Sequence, residues 1–359
     1  MKIDEGRRRA SETKIDEWRR RADEAQQALD AMFWNDAIRM YNIAAPCPDG
    51  KCNTIFHYWW MAHAVENLTD AYERTGDAKY ERRLSQIYDG LLERNGGQWP
   101  NELYDDMEWM AIAWLRAYQA TGTTRYKDAV IALWEDIQGG WNDHCGGGIA
   151  WRKTQPDYKN TPANAPAAIL AARLYRAFGR ESDWEWALRI HEWQTRRLVD
   201  PETGFVWDGM NRLGDGAIDK DWKFTYCQGV YLGAAWELYR ITGDEKFRDQ
   251  ALRTAAAARA TLADADGILP PEGTGDGGLF KGIFARYLGL LAAEAEDAEP
   301  WRRMLADNAE SLWRKGRLEG RLPLFGERWD APASYPVDLS TQLSGVMLLE
   351  TLTKLRPNV

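Results

Sequence analysis

Two kinds of helical segment alternate along the 359 residues of the chain. One kind is apolar nearly all round, at about 56–75, 105–121, 162–179, 225–242, 279–295 and 338–354. A helix without a polar face is buried on every side. The other kind joins an apolar stripe to a charged face, at about 12–34, 78–95, 123–138, 182–198, 244–263 and 298–315. Such a helix covers a core with one side and meets water with the other. Six of each, strictly alternating, predict an all-α fold. It is an (α/α)6 barrel, a six-hairpin toroid with an inner ring of buried helices and an outer ring with one wet face. The uneven spacing of the copies argues against a regular solenoid, whose repeats keep a near-fixed period.

The turns support this reading. A phrase such as Tyr72-Glu73-Arg74-Thr75-Gly76-Asp77 closes an apolar segment, and it returns around Gly122, Gly179 and Gly243. The glycine fits the C′ position of a helix, where positive φ is needed, and the residue after it can cap the next helix. The longer connections all precede inner helices and carry Gly and Trp: Gly96–Pro100, Gly146–Trp151, Val206–Gly209, Gly275–Gly278 and Trp329–Tyr335. In a closed barrel they converge on one mouth, where function usually sits. The chain reads as one catalytic domain over 1–359. Residues 1–11 form an N-terminal extension in which 2–10 (KIDEGRRRA) nearly repeats as 14–22 (KIDEWRRRA).

Composition narrows the function. The chain is 45% hydrophobic and 28% charged with a net charge of −9, without the basic face of a nucleic-acid binder. No apolar run approaches the roughly 18 residues of a membrane span. Met1–Arg9 carries charges where a signal peptide needs an apolar core, so a cytoplasmic protein is expected unless a leader has been removed. Four cysteines are too few for a disulfide framework; a local Cys47–Cys52 bridge is conceivable, and reduced thiols are the expectation. Nineteen Trp and fifteen Tyr, many in loops, suit either a core of large side chains or stacking platforms for the apolar face of sugar rings.

Candidate chemistry collects at the starts of inner helices. Asp105 and Asp106 open the second of them. They read as a capping box with Glu108, or as the two acids of glycoside hydrolysis. A helix N-terminus favours the anion at Asp105, while burial and repulsion keep Asp106 protonated longer. Asn160 and Asn164 share a face at the third start and could cap it or bond sugar hydroxyls. Thr225–Gly229 opens the fourth. Phe280-Lys281-Gly282 opens the fifth, with Lys281 expected half-buried beside a carboxylate. His144-Cys145 has no second cluster at metal spacing, so zinc is not expected. His57 and His63 are six apart and read as packed or pore-lining, and His191 as structural. Gly146-Gly147-Gly148 lacks the lysine and strand of a phosphate loop.

Together these motifs resemble glycoside hydrolase family 76, the endo-α-1,6-mannanases. The resemblance is carried by Tyr104-Asp105-Asp106 with Trp109, and by Gly147-Gly148-Ile149 with Trp151. It continues through Lys159-Asn160 and Asn164, Asp208-Gly209, Thr225-Tyr226 with Gln228-Gly229, and Phe280-Lys281-Gly282. It implies an (α/α)6 barrel and a retaining cleavage of α-1,6-mannosidic bonds in α-mannan or α-mannooligosaccharides. Asp105 would be the nucleophile and Asp106 the general acid/base, with no metal or organic cofactor. Substrate contacts are expected from Trp99, Tyr104, Trp151, Asn160, Asn164, Asp208, Tyr226, Gln228 and Lys281. Cys227 stands where the family more often has Asn, and a cytoplasmic member would act on imported oligosaccharides. The alternatives are another enzyme on this barrel, a uronyl hydrolase or a sugar epimerase, or a non-catalytic glycan-binding protein. The four histidines offer no matched pair for an epimerase.

Overall fold

The structure, a computed structural model, describes residues 2–355, and of 2–12 the backbone alone. Its inner helices are α2 (Tyr58–Thr75), α4 (Tyr104–Thr121), α6 (Ala165–Phe178), α8 (Thr225–Thr242), α10 (Gly277–Glu294) and α12 (Leu339–Lys354). Each packs on the next, and α12 returns to α2, so the ring is closed. The outer helices are α1 (Lys2–Phe33), α3 (Ala78–Arg94), α5 (Thr124–Gln138), α7 (Glu181–Leu198), α9 (Glu245–Leu262) and α11 (Glu299–Ser311). Each of α3 to α11 packs on the inner helix before it, and α1 lies on α12 at the far end of the chain. This is the (α/α)6 barrel that the alternation of polarity predicts. Of the expected extension over 1–11, residues 2–11 continue α1, and Met1 lies outside the described residues. No described helix is long and apolar enough to cross a membrane.

The hairpin turns form as their sequences dictate. Gly76, Gly122, Gly179 and Gly243 sit at φ 65° to 72°, and each N–H bonds the carbonyl four residues back, of Tyr72, Tyr118, Tyr175 and Tyr239, at 2.8 Å. Asp77 and Asp244 then cap α3 and α9 through the N–H groups of Lys79 and Lys246. Inner helices approach closely where a side chain is missing. A Cβ on Gly282 of α10 would stand 2.6 Å from Ser344 Cα of α12, and one on Gly229 of α8 2.6 Å from Phe284 Cα of α10.

A belt of charge binds the inner ring toward the C-terminal ends of its helices. Arg116 of α4 reaches Glu66 (3.2 Å) and Asp70 (2.6 Å) of α2. Arg286 of α10 and Lys354 of α12 each meet Asp70 at 2.7 Å. Arg173 of α6 meets Glu237 of α8 at 2.7 Å. Every inner helix contributes, and all but α8 line a cavity of about 240 Å³. The arginines hold the carboxyls of Glu66 and Asp70 well below the usual range, against the burial that would raise them.

One expectation is corrected here. Cys47 and Cys52 are joined in a disulfide, not reduced, because the turn through Pro48 and Gly50 brings their Cα atoms to 5.8 Å.

Candidate active site

The helix N-termini of the inner ring open into a cleft of about 340 Å³. Its walls come from the connections that precede α6, α8 and α10 and from the first turns of α2, α4, α8 and α10. One wall is a small antiparallel sheet of Ala150–Arg152, Gln155–Asn160 and Gly209–Met210. It holds Trp151, Gln155, Tyr158 and Asn160 against the cleft. The connection before α12 adds nothing to the lining: Trp329 is buried under Lys281, whose Nζ lies 4.5 Å from the ring centroid.

Asp105 stands at the first turn of α4 with part of its surface in the cleft. Its two oxygens are separately held. Oδ1 accepts the Asp106 backbone N–H (3.0 Å), and Oδ2 the Trp151 indole N–H (3.1 Å). Asp106 is buried beside it, and its Oδ2 accepts from Asn101 Nδ2 at 3.3 Å. The helix begins at Tyr104 with Leu103 in the capping position, so Asp105 and Glu108 form no capping box. Glu108 points into the core instead, with neither oxygen meeting a partner at bonding geometry.

The electrostatics separate the two aspartates. Burial pushes the Asp105 carboxyl up to about 7, opposed by the donors from Asp106 and Trp151 and reinforced by the charge of Asp276. Burial pushes Asp106 up as well, and there the charge of Asp105 adds to it. The second proton therefore leaves later than the first, and the pair passes through a state with one carboxylate and one carboxylic acid. That state can offer a nucleophile and a proton donor at one reacting bond.

Five of the expected site residues besides the aspartates lie elsewhere than the cleft lining. Trp99 is buried between Tyr88 and Trp114, and its carbonyl accepts from Tyr58. Tyr104 packs against Gly140. Asn164 spends its amide on the backbone of Ile149 and Asn160. Gln228 bridges the N–H and C=O of Val206. Lys281 is fully rather than half buried and donates to the Glu327 carbonyl, with Glu272 acting on it only through its charge. These groups hold the loops that carry the cleft. Trp151, Asn160, Asp208 and Tyr226 do line it. Asn160 accepts the Ala163 N–H, which fixes the turn into α6. Asp208 accepts from Tyr226 (2.8 Å) and Cys227 (3.5 Å) at Oδ1, and from Tyr158 (3.3 Å) at Oδ2. Cys227 is thus a buried donor to the Asp208 carboxylate.

Sequence reasoning missed Trp59, Arg212, Trp222 and Asp276, all of which line the cleft. Trp59 lies in an apolar helix start that reads as core. Asp276 lies in the Gly275–Gly278 connection, which the sequence directs to the mouth without singling out the aspartate. The histidines lie where packing needs them: His63 bonds Glu66 (3.1 Å) beneath Trp109, and His191 bonds Gln250 (2.9 Å) and stacks on Tyr231.

Comparison with known proteins gives this geometry a context. The profile described as "Glycosyl hydrolase family 76" matches residues 17–353. The GH76A α-1,6-mannanase of Salegentibacter sp. HEL1_6 superposes with a TM-score of 0.88 at 40% identity, over 93% of this chain and 98% of that one. The same protein has also been solved with α-1,6-mannotriose, as an inactive variant with two consecutive aspartates changed to asparagine; there the identity is 39%, over 94% and 99% of the two chains, and the TM-score 0.88. The mannan endo-1,6-alpha-mannosidase DCW1 of Candida albicans is 26% identical over 274 residues, covering 68% of this chain and 60% of the relative. The chain thus spans about three fifths of the length of that curated relative.

Proposed function

The chain belongs to glycosyl hydrolase family 76, and on that premise we propose that it cleaves α-1,6-mannosidic bonds in α-mannan or α-mannooligosaccharides with retention of configuration. The observation that carries this is the adjacent pair Asp105–Asp106 at the mouth of a barrel, in a cleft walled by Trp59, Trp109, Trp151 and Tyr226. The inactive aspartate variant of the Salegentibacter mannanase, bound to α-1,6-mannotriose, supports the same pair and substrate class.

In this mechanism Asp105 is the ionised member. Its oxygens are held by Trp151 and by its own helix, so it meets the anomeric carbon without reorganising. Asp106 keeps its proton longer and gives it to the departing glycosidic oxygen as Asp105 forms the glycosyl ester. It then takes a proton from the water that opens the ester, and both groups return to their starting states. Aromatic faces hold the apolar sides of the mannosyl rings, while Asp208 and Asn160 offer polar partners. The whole ring acts as one catalytic unit. The Cys47–Cys52 bridge favours an oxidising compartment over the cytoplasm that the charged N-terminus suggests. Titration of the denatured protein from its own host separates the two, with two free thiols for the first and four for the second.

The test is incubation with α-1,6-mannotetraose and debranched α-mannan, with products read by mass spectrometry and the first-formed anomer by NMR. The proposal expects shorter mannosides with an α-anomeric first product, both lost in Asp105→Asn. Binding without turnover would make the chain a glycan-binding protein, and a β first product would refute retention.

A further inference from the structure

A third carboxylate faces the aspartate pair, and neither capping nor ion pairing accounts for it. Asp276 immediately precedes α10, yet its side chain makes no capping bond to that helix. It turns instead to α2, where the indole N–H groups of Trp59 (3.1 Å) and Trp60 (2.8 Å) both donate to Oδ1. Two neutral donors on one oxygen fix the carboxylate without neutralising it. Among the described residues no cation pairs with it, and it remains exposed in the cleft.

Its place in the ring gives this meaning. In the order α2, α4, α6, α8, α10, α12, the helix α10 stands opposite α4, which carries Asp105 and Asp106. A sugar attacked by Asp105 therefore lies between the pair and Asp276. Trp59, pinned by the same bond, lines the cleft beside Trp109 (ring centroids 6.4 Å) and Phe280 (6.5 Å). A pyranose resting on that indole puts its rim hydroxyls within reach of the carboxylate. Ionised carboxylates accept two neighbouring hydroxyls well.

We propose that Asp276 is a substrate-positioning residue. Its carboxylate, anchored by Trp59 and Trp60, accepts hydroxyls of the mannosyl unit stacked on Trp59 and faces its charge toward the catalytic pair. The inference rests on the glycosidase reading above. It adds a second consequence, because a negative charge across the cleft disfavours ionisation of both aspartates.

The experiment compares wild type, Asp276→Asn and Asp276→Glu on α-1,6-mannotetraose across pH. Asparagine keeps an oxygen for both indoles and removes only the charge, so the fold is preserved. The expected result is a fall of about 10- to 100-fold in kcat/KM, mostly in KM, as for a lost bond to a charged group. The acid limb of kcat/KM moves to lower pH, and glutamate restores part of both effects. A purely structural residue would not shift the limb. Unchanged KM and pH profile in Asp276→Asn, with an active wild type, would overturn the inference alone. An inactive wild type would overturn the reading beneath it.

Discussion

Glu108 is fully buried one turn below Asp105, and its carboxyl meets no partner at bonding geometry; the Ala167 amide is the one donor that eases its charged form. Burial first, and then the Asp105 charge, push its pKa well above the ordinary 4.5. The sign of the consequence follows from linkage. A carboxyl whose folded pKa is raised binds more protons in the native state than in the unfolded chain. Its stability contribution is intact below the unfolded pKa and is lost as pH rises toward the folded one. Each pH unit in that window costs about 1.4 kcal/mol. Glu108→Gln keeps the shape and removes the titration, so it should stabilise the protein by a margin that grows with pH above 4.5 at up to that slope. The gain should shrink to nothing near pH 4.5. Urea unfolding followed by tryptophan fluorescence, at pH 5, 6, 7 and 8 in both proteins, measures the difference, and titration of every other acid cancels between them. Parallel stability curves, or a glutamine variant less stable at pH 7, would show that Glu108 is ionised and paired, and the reasoning would fall.

The pH dependence of kcat/KM should be bell-shaped, with its acid limb set by the first ionisation of the Asp105–Asp106 pair, near 7 in the free enzyme, and its alkaline limb by the second; initial rates on α-1,6-mannotetraose from pH 4 to 10 check it, and a profile flat through 7 would contradict it. Gly282→Ala forces a Cβ to within 2.6 Å of Ser344 Cα. The backbone cannot yield there, so a loss of about 1–3 kcal/mol is expected in denaturant unfolding. Asp70→Asn removes the carboxylate that Arg116, Arg286 and Lys354 share. It should cost about 3–5 kcal/mol at neutral pH. Because the Asp70 pKa is depressed, its contribution is present above the unfolded carboxyl range and lost as pH falls below it. The deficit should therefore close in strong acid, and one that persists unchanged there would contradict the assignment.

The architecture was legible because polarity along a helix reports its surroundings. Helices α8 and α10 have no wet face, while α3 and α9 do, and that contrast survives any ignorance of tertiary structure. The glycines after Tyr72, Tyr118, Tyr175 and Tyr239 fixed the turns for a local reason, since only a left-handed residue ends those helices. The site was less legible. Asp105 and Asp106 stand out as adjacent acids before an apolar run, but Trp99 and Gln228 have the same residue types as true sugar contacts and are spent on backbone carbonyls and packing. Whether a polar side chain faces the cleft or braces a loop depends on partners far along the chain. Gln228 finds Val206, and Asn164 finds Ile149. Asp276 was hidden for the converse reason. Its partners Trp59 and Trp60 are more than 200 residues away, and the Gly275–Gly278 connection points to the mouth without marking the aspartate itself.

The charged belt has a consequence for how the molecule comes to exist. A hoop has no strength until its last link is made. Asp70 lies on the first inner helix and Lys354 on the last, 284 residues later; Arg74 and Glu350 are 276 apart. A chain that had assembled five inner helices would hold buried acids and arginines with their counterparts still missing, which is the arrangement burial punishes most. Partial rings are therefore poor resting places. The same seam that closes the finished barrel makes its assembly all-or-none and rewards the meeting of its two most distant helices. A segment cut out as a half-barrel should not fold by itself.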